Sequence, residues 1–440
     1  MISTTDVRVT ARLSTRLITR PDEAYALARE LAHVPRVALD LESDGLFAYH
    51  AGICLMQLAW GGDDAHIAIV DPLASADGAR AASAQKPNVV LAALAGILGD
   101  EGPIKVVHDI AFDSRLIAEA GLVIGNVHDT SIAARMLGQT STGLASVLEL
   151  ALGVRVSKAL QHHDWRLRPL TEDMLAYLSS DVAHLEKLDD KLFGEARARG
   201  IEDEVLEETR HRIASSALAT STPDPRPPYA RLKGIERVTG PELSIARRLA
   251  EVREREAARR DVPPHKVMPA EALLAVARSR PANVAQLLRM RGVPMGNPDA
   301  ESFAEEVLRA VAAGMTDGEI PEAERALLRG PRVPPEVQKA RRARESLVMA
   351  WRKAEAKRRG VDDQVVLPGH CVKDIAQLEG IEGRADLARV PGIGAFRVTR
   401  DGDAILRALR GEALAGGDAA AAAPAAEAAV DDADGTEEPT

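Results

Sequence analysis

The stretch Arg36-Val37-Ala38-Leu39-Asp40-Leu41-Glu42 decides the fold. Its aliphatic residues predict a buried strand, yet two acids interrupt them at i and i+2. Strand side chains alternate, so Asp40 and Glu42 share one face, with about 7 Å between their Cα atoms. Unpaired in a half-buried position, each carboxylate pays a desolvation cost, so a compensating cation is expected. A hard divalent metal with oxygen ligands is the natural candidate. A strand whose polar face is simply wet is the alternative that the pair alone leaves open.

Working outward, the chain predicts a strand at Thr15–Ile18, a helix from Pro21 to Leu31, and then the acidic strand. Ile53–Trp60 and Ile67–Val70 read as two more strands joined through Gly61-Gly-Asp-Asp64, which makes a meander. A helix Val89–Leu98, a strand Ile104–Val107, a helix over 112–120, a short strand near 123–127 and a helix over 130–137 follow. This alternation predicts an α/β domain with a sheet of mixed direction. Helical patterning then runs from Leu144 to about Arg197, broken between Gly153 and Pro169.

Residues 221–228, Ser-Thr-Pro-Asp-Pro-Arg-Pro-Pro, hold four prolines in eight positions and predict a stiff linker. Beyond it, 241–312 and 335–410 are each helical and share a layout. Each opens with a long Arg/Glu-rich helix (Leu243–Arg260 and Val337–Gly360), turns at Val262-Pro-Pro264 or Leu367-Pro-Gly369, and continues through shorter helices to a last one. Residues 411–440 are Ala, Gly and acid without periodicity, so disorder is expected there.

The 440 residues allow two or three domains. Cys54 and Cys371 fit no zinc or redox spacing, and a reducing cytoplasm is expected. The first 20 residues lack the apolar core of a secretory signal, and no apolar stretch reaches the roughly 18 residues a membrane span requires. The net charge of −10 divides unevenly: residues 1–220 hold 21 Lys+Arg against 31 Asp+Glu, residues 221–410 hold 35 against 27, and the last thirty hold none against 8. An acidic front half joined to a basic middle fits a polyanionic partner such as nucleic acid. Solvated Arg/Glu helix faces would give the same count.

Three later places, around Asp113, Asp129 and Asp181, offer acids that could complete a metal site. Asp113 stands near the start of a helix after a buried strand, where a sheet edge presents ligands. Tyr177 and Asp181 stand at i and i+4, on one helix face. Tyr177 could equally be a core aromatic, and Asp109 and Asp129 read as helix caps, Asp129 the better one before Thr130-Ser-Ile.

Together, D-x-E at Asp40 and Glu42, Asp113 after Lys105-Val-Val-His108, and Y-x-x-x-D at Tyr177 and Asp181 resemble the three exonuclease motifs of the DEDD superfamily, tyrosine subtype. The histidine subtype would need His where Ala176 or Tyr177 stands. Asp164-Trp-x-x-Arg-Pro-Leu-Thr171 is similar to the ribonuclease D family in particular, and the two basic helical segments resemble its tandem HRDC domains. The sequence departs from the family where Ser43-Asp44-Gly45 follows Glu42 in place of an aromatic, with Phe47 and Tyr49 a few positions on, and where His163 stands for an expected Ser. Val390-Pro-Gly-Ile-Gly394 also resembles a helix-hairpin-helix turn, whose N–H groups can meet a phosphate.

The resemblance implies a ribonuclease H-like α/β exonuclease domain over 1–220, a linker over 221–230, HRDC domains over 231–315 and 332–410, and a tail over 411–440. It implies a 3′-5′ exoribonuclease that uses two divalent ions, Mg²⁺ or Mn²⁺, and no small-molecule cofactor. Asp40 would bridge both ions, Glu42 and Asp181 would complete the site of the attacking water, Asp113 would support the second ion through water, and Tyr177 would orient the attacking water. RNA is the implied partner, tRNA precursors among it, with the protein a cytoplasmic monomer and no membrane. A DNA exonuclease of the same superfamily and a non-catalytic RNA-binding scaffold are the competing readings.

Overall fold

A computed structural model describes residues 14–74, 88–221, 224–293, 300–329 and 333–412. The expected tail, but for its first two residues, lies outside them. Six strands form one mixed sheet in the order β1-β4-β3-β2-β5-β6: β1 Ser14–Ile18, β2 Arg36–Ser43, β3 Ile53–Trp60, β4 His66–Val70, β5 Ile104–Val107 and β6 Val127–Asp129. β2, β3 and β4 pair antiparallel as the expected meander, while β1/β4, β2/β5 and β5/β6 pair parallel. The last strand begins where its end was expected from the sequence. The apolar run at 122–124 stays outside the sheet with Val123 largely exposed, because pairing starts only where Val127 meets Lys105.

Helices cover both faces. On one lie α1 Pro21–Leu31, α2 Val89–Ala92, α3 Ala95–Leu98 and α4 Ile110–Glu119, packed on Val37, Leu39, Leu41, Met56 and Leu58. The expected helix Val89–Leu98 is thus two short pieces. On the other face lie α5 Thr130–Met136, α6 Leu144–Leu152, α7 Glu172–Val182 and α8 Leu185–Ala198, packed on Ala38, Leu55, Ala59, Ile67 and Ile69. Since Leu39 and Leu41 face the first group, alternation turns Asp40 and Glu42 toward the second.

The helical patterning seen in the sequence ends at Arg197, whereas a further helix, α9 Glu202–Ser221, packs against α4, α5, α8 and β6. Past the prolines, Tyr229 is buried in a helical core built from α10 Gly240–Arg260, α11 Pro264–Val267, α12 Ala270–Ser279, α13 Val284–Leu288 and α14 Ala300–Thr316. After α15 Glu322–Arg329, a second helical core gathers α16 Pro335–Arg359, α17 Asp363–Val366, α18 Gly369–Gln377, α19 Arg384–Leu387 and α20 Ala395–Leu409. Each long helix ends in a left-handed residue, Asp261 and Gly360, which turns the chain back on itself.

Candidate active site

Carboxylate oxygens of Asp40, Glu42 and Asp181 lie within 4.8 Å of one another. Two come from β2 through strand alternation. The third comes from α7, whose first turn is closed by Thr171 Oγ1 accepting from the Met174 N–H at 3.3 Å and which packs across β2, β3 and β4. Asp113, on α4, joins from the end of β5 and lies close enough for Asp40 and Glu42 to hinder its ionisation. Its helix is set by Asp129, whose carboxylate accepts from the N–H of Asp109 (3.2 Å) and Ile110 (2.9 Å), and from Ser131 (2.8 Å) and Ile132 (3.1 Å). One aspartate therefore caps both α4 and α5. Asp109 makes no capping hydrogen bond through its side chain but takes a left-handed φ of 70°, which an aspartate tolerates, to turn the chain into α4.

Among the described residues, none of these four carboxylates forms an ion pair with Lys, Arg or His. Their acidity shows the cost. Burial, reinforced by Asp40 and Asp181, pushes Glu42 up to about 9. Burial and Asp40 push Asp181 to about 8. Burial moves Asp40 to about 6 and holds Asp113 well above the usual carboxylate range. A cluster that resists its own ionisation and lacks a protein cation fits a hard divalent ion with oxygen ligands.

Tyr177 stands beside Asp181, and burial together with that neighbour raises its phenol above the ordinary 10. Its ring lies tilted against Trp165, centroids 5.8 Å apart. Trp165 is fully buried and turns its indole N–H toward Glu42 without reaching hydrogen-bond geometry. In the sequence Trp165 stood out only as a family mark. The rest of that motif is a brace: Arg166 clamps Asp164 through two 2.8 Å hydrogen bonds, and Arg168 clamps buried Asp71 at 2.6 and 2.7 Å. Another residue at the site, Gln57, is the single polar side chain in the apolar run Ile53–Trp60, a signal that was legible but unused. Phe47 and Tyr49, noted after the D-x-E motif, meet the first helical domain. Phe47 lies under Lys266 at 4.4 Å and Arg166 at 5.6 Å, and Tyr49 donates to Glu254 at 3.1 Å.

The hairpin turn at Val390–Gly394 packs against α9, with Val390 and Ile393 buried and Pro391 exposed. The Phe396 N–H after it donates to the Glu207 carboxylate of α9 at 3.0 Å, and buried Arg397 pairs with Glu204 (3.0 Å) and Glu208 (3.2 Å) of the same helix. A protein carboxylate stands where the sequence allowed a phosphate.

Residues 15–195 match the family model described as 3'-5' exonuclease, and residues 242–311 and 342–409 each match the HRDC domain model. Ribonuclease D of Gluconacetobacter diazotrophicus is 31% identical over 324 residues, 72% of this chain and 77% of that protein. Ribonuclease D of Jannaschia sp. is 28% identical over 388 residues, 87% and 94% of the two chains. The crystal structure of Escherichia coli RNase D, 23% identical, superposes with a TM-score of 0.64 over 91% of this chain and 99% of that one, a likeness of fold. With a metal-ready carboxylate cluster in an exonuclease fold, two HRDC matches and this identity over most of its length, the chain belongs to the ribonuclease D family of metal-dependent 3′-5′ exoribonucleases.

Proposed function

We propose that Asp40, Glu42, Asp113 and Asp181 hold two divalent ions and that Tyr177 orients the water that attacks the 3′-terminal phosphodiester of RNA. The observation that carries this is the convergence of Asp40, Glu42 and Asp181 within 4.8 Å with no ion pair to a protein cation among the described residues. When bound, the ions supply a water of lowered pKa and neutralise charge building on the phosphate and the leaving 3′-oxygen. Hard oxygen donors favour Mg²⁺ in the cell, with Mn²⁺ as a substitute. The Tyr177 phenol, raised above its ordinary range, stays protonated at neutral pH. In that state it orients the water by hydrogen bonding.

The substrates proposed are structured RNAs with 3′ extensions, tRNA precursors among them, processed by a cytoplasmic monomer. In support, the Escherichia coli relative is described as an exoribonuclease involved in structured RNA processing, and no helix among the described residues is long and apolar enough to cross a membrane. The proposed division is an exonuclease domain over 1–220, a linker over 221–230 and HRDC domains over 231–315 and 332–410. The packing of Phe47 and Tyr49 on the first helical domain places basic Lys266 beside the exonuclease loop, where RNA phosphates could meet it.

The test is incubation with Mg²⁺ and 5′-labelled RNA or DNA of one sequence. A 3′-shortened ladder on RNA, lost with EDTA, is expected. Equal shortening of DNA would move the reading to a DNA exonuclease, and binding without shortening would move it to a scaffold.

A further inference from the structure

Gln57 lies at the centre of β3 with 0% of its surface exposed, and neither its Nε2 nor its Oε1 has a hydrogen-bond partner among the described residues. A buried primary amide left unpaired costs its full desolvation, so a partner is expected to arrive from outside the protein. The sheet says from where. Met56 and Leu58 belong to the core on the α1–α4 side, so Gln57, with Leu55 and Ala59, faces the α5–α8 side, as Asp40 and Glu42 do. In the antiparallel register Gln57 stands directly opposite Asp40, and directly opposed residues share a face with Cβ atoms about 5 Å apart. On its other flank, across β4, the register partner is apolar Ile69. α7, which carries Tyr177 and Asp181, packs over these three strands. Every other residue of β3 is apolar, so nothing in the packing of that strand calls for an amide.

We infer that Gln57 is a positioning residue of the catalytic centre: its carboxamide engages the Asp40 carboxylate and a water of the divalent ion's hydration shell once an ion is held there. An amide suits this place because it offers a donor to the carboxylate and an acceptor to the water at one spot. Outer-shell groups of this kind orient the ligands themselves. The inference rests on the reading of Asp40 as a ligand, and the experiment separates the two.

Mn²⁺ is titrated calorimetrically into the full chain and into the Gln57→Leu, Gln57→Met and Asp40→Asn variants, and each is melted in EDTA. Met, unbranched and of similar length, covers the case in which Leu does not fit. The expected result is that the Gln57 variants melt in EDTA at or above the parent, because an unpaired buried amide has been removed, while binding Mn²⁺ about 10- to 100-fold more weakly. Unchanged Mn²⁺ affinity in a folded Gln57→Met variant overturns the inference. So does a lowered melting temperature in EDTA, which would assign Gln57 to a structural buried water. If Asp40→Asn binds Mn²⁺ like the parent, the metal reading itself falls. If Asp40→Asn loses binding while the Gln57 variants keep it, only the role of Gln57 falls.

Discussion

Glu42→Gln is expected to stabilise the metal-free protein while weakening its response to metal. In the folded chain burial and the neighbouring Asp40 and Asp181 hold the Glu42 proton up to about 9, against an ordinary 4.5. A carboxyl that binds its proton more tightly folded than unfolded costs nothing below about pH 4.5. It destabilises increasingly as pH rises toward 9, and by a constant amount beyond. At about 1.4 kcal/mol per pH unit, the span from 4.5 to pH 7 amounts to about 3 kcal/mol. Burial is the larger cause and the charges of Asp40 and Asp181 the smaller, and a buried Gln amide keeps part of the desolvation cost, so about 2 kcal/mol is the portion that Glu42→Gln relieves. That corresponds to a melting temperature higher by about 4–8 °C. Thermal unfolding followed by circular dichroism in EDTA reads this directly: the two proteins should melt together near pH 4.5 and diverge as pH rises. Adding Mn²⁺ should raise the parent more than the variant and reverse their order, because the ion replaces the missing counter-charge only where a carboxylate is present. A variant that melts at or below the parent in EDTA at about pH 8 would refute the argument that Glu42 is strained by its neighbours.

Asp40→Asn should reduce hydrolysis of a short RNA to background while leaving the circular dichroism spectrum unchanged; equal cleavage by parent and variant at saturating Mg²⁺ removes Asp40 from the site. Tyr177→Phe should lower kcat about 100-fold, as expected for a misplaced nucleophile, with Mn²⁺ affinity preserved. Affinity that falls together with turnover would make Tyr177 a structural prop. Removing residues 231–410 should spare cleavage of a short single strand but weaken action on structured RNA, since residues 221–410 supply 35 of the 56 Lys and Arg. Each RNA phosphate that the shortened protein no longer neutralises flattens the slope of log K against log salt by roughly 0.7, so identical slopes with and without the helical domains would exclude electrostatic holding.

The placement of the candidate site residues was legible in the sequence wherever it depends on local periodicity. Asp40 and Glu42 share a face because strands alternate, and Tyr177 and Asp181 share one because helices return every 3.6 residues. Both facts hold before any packing is known, and resemblance to a family joined the two pairs. The meander was likewise written in short-range signals, two apolar runs about a Gly-Gly-Asp-Asp turn. What depends on which segments meet was decided only by tertiary structure. Gln57 is an oddity in an apolar strand until the register sets it opposite Asp40. Asp129 reads as the cap of one helix, and only the parallel pairing of β5 with β6 brings its second oxygen to the start of α4. The helix α9 is hard to see in the sequence because it is packed from several sides, by α4, α5, α8, β6 and α20, and so carries no single apolar stripe. The hairpin at Val390–Gly394 has the composition of an anion site, but composition cannot say which anion. Folding brings Glu207 there because the carboxylate is tethered to the same chain on α9.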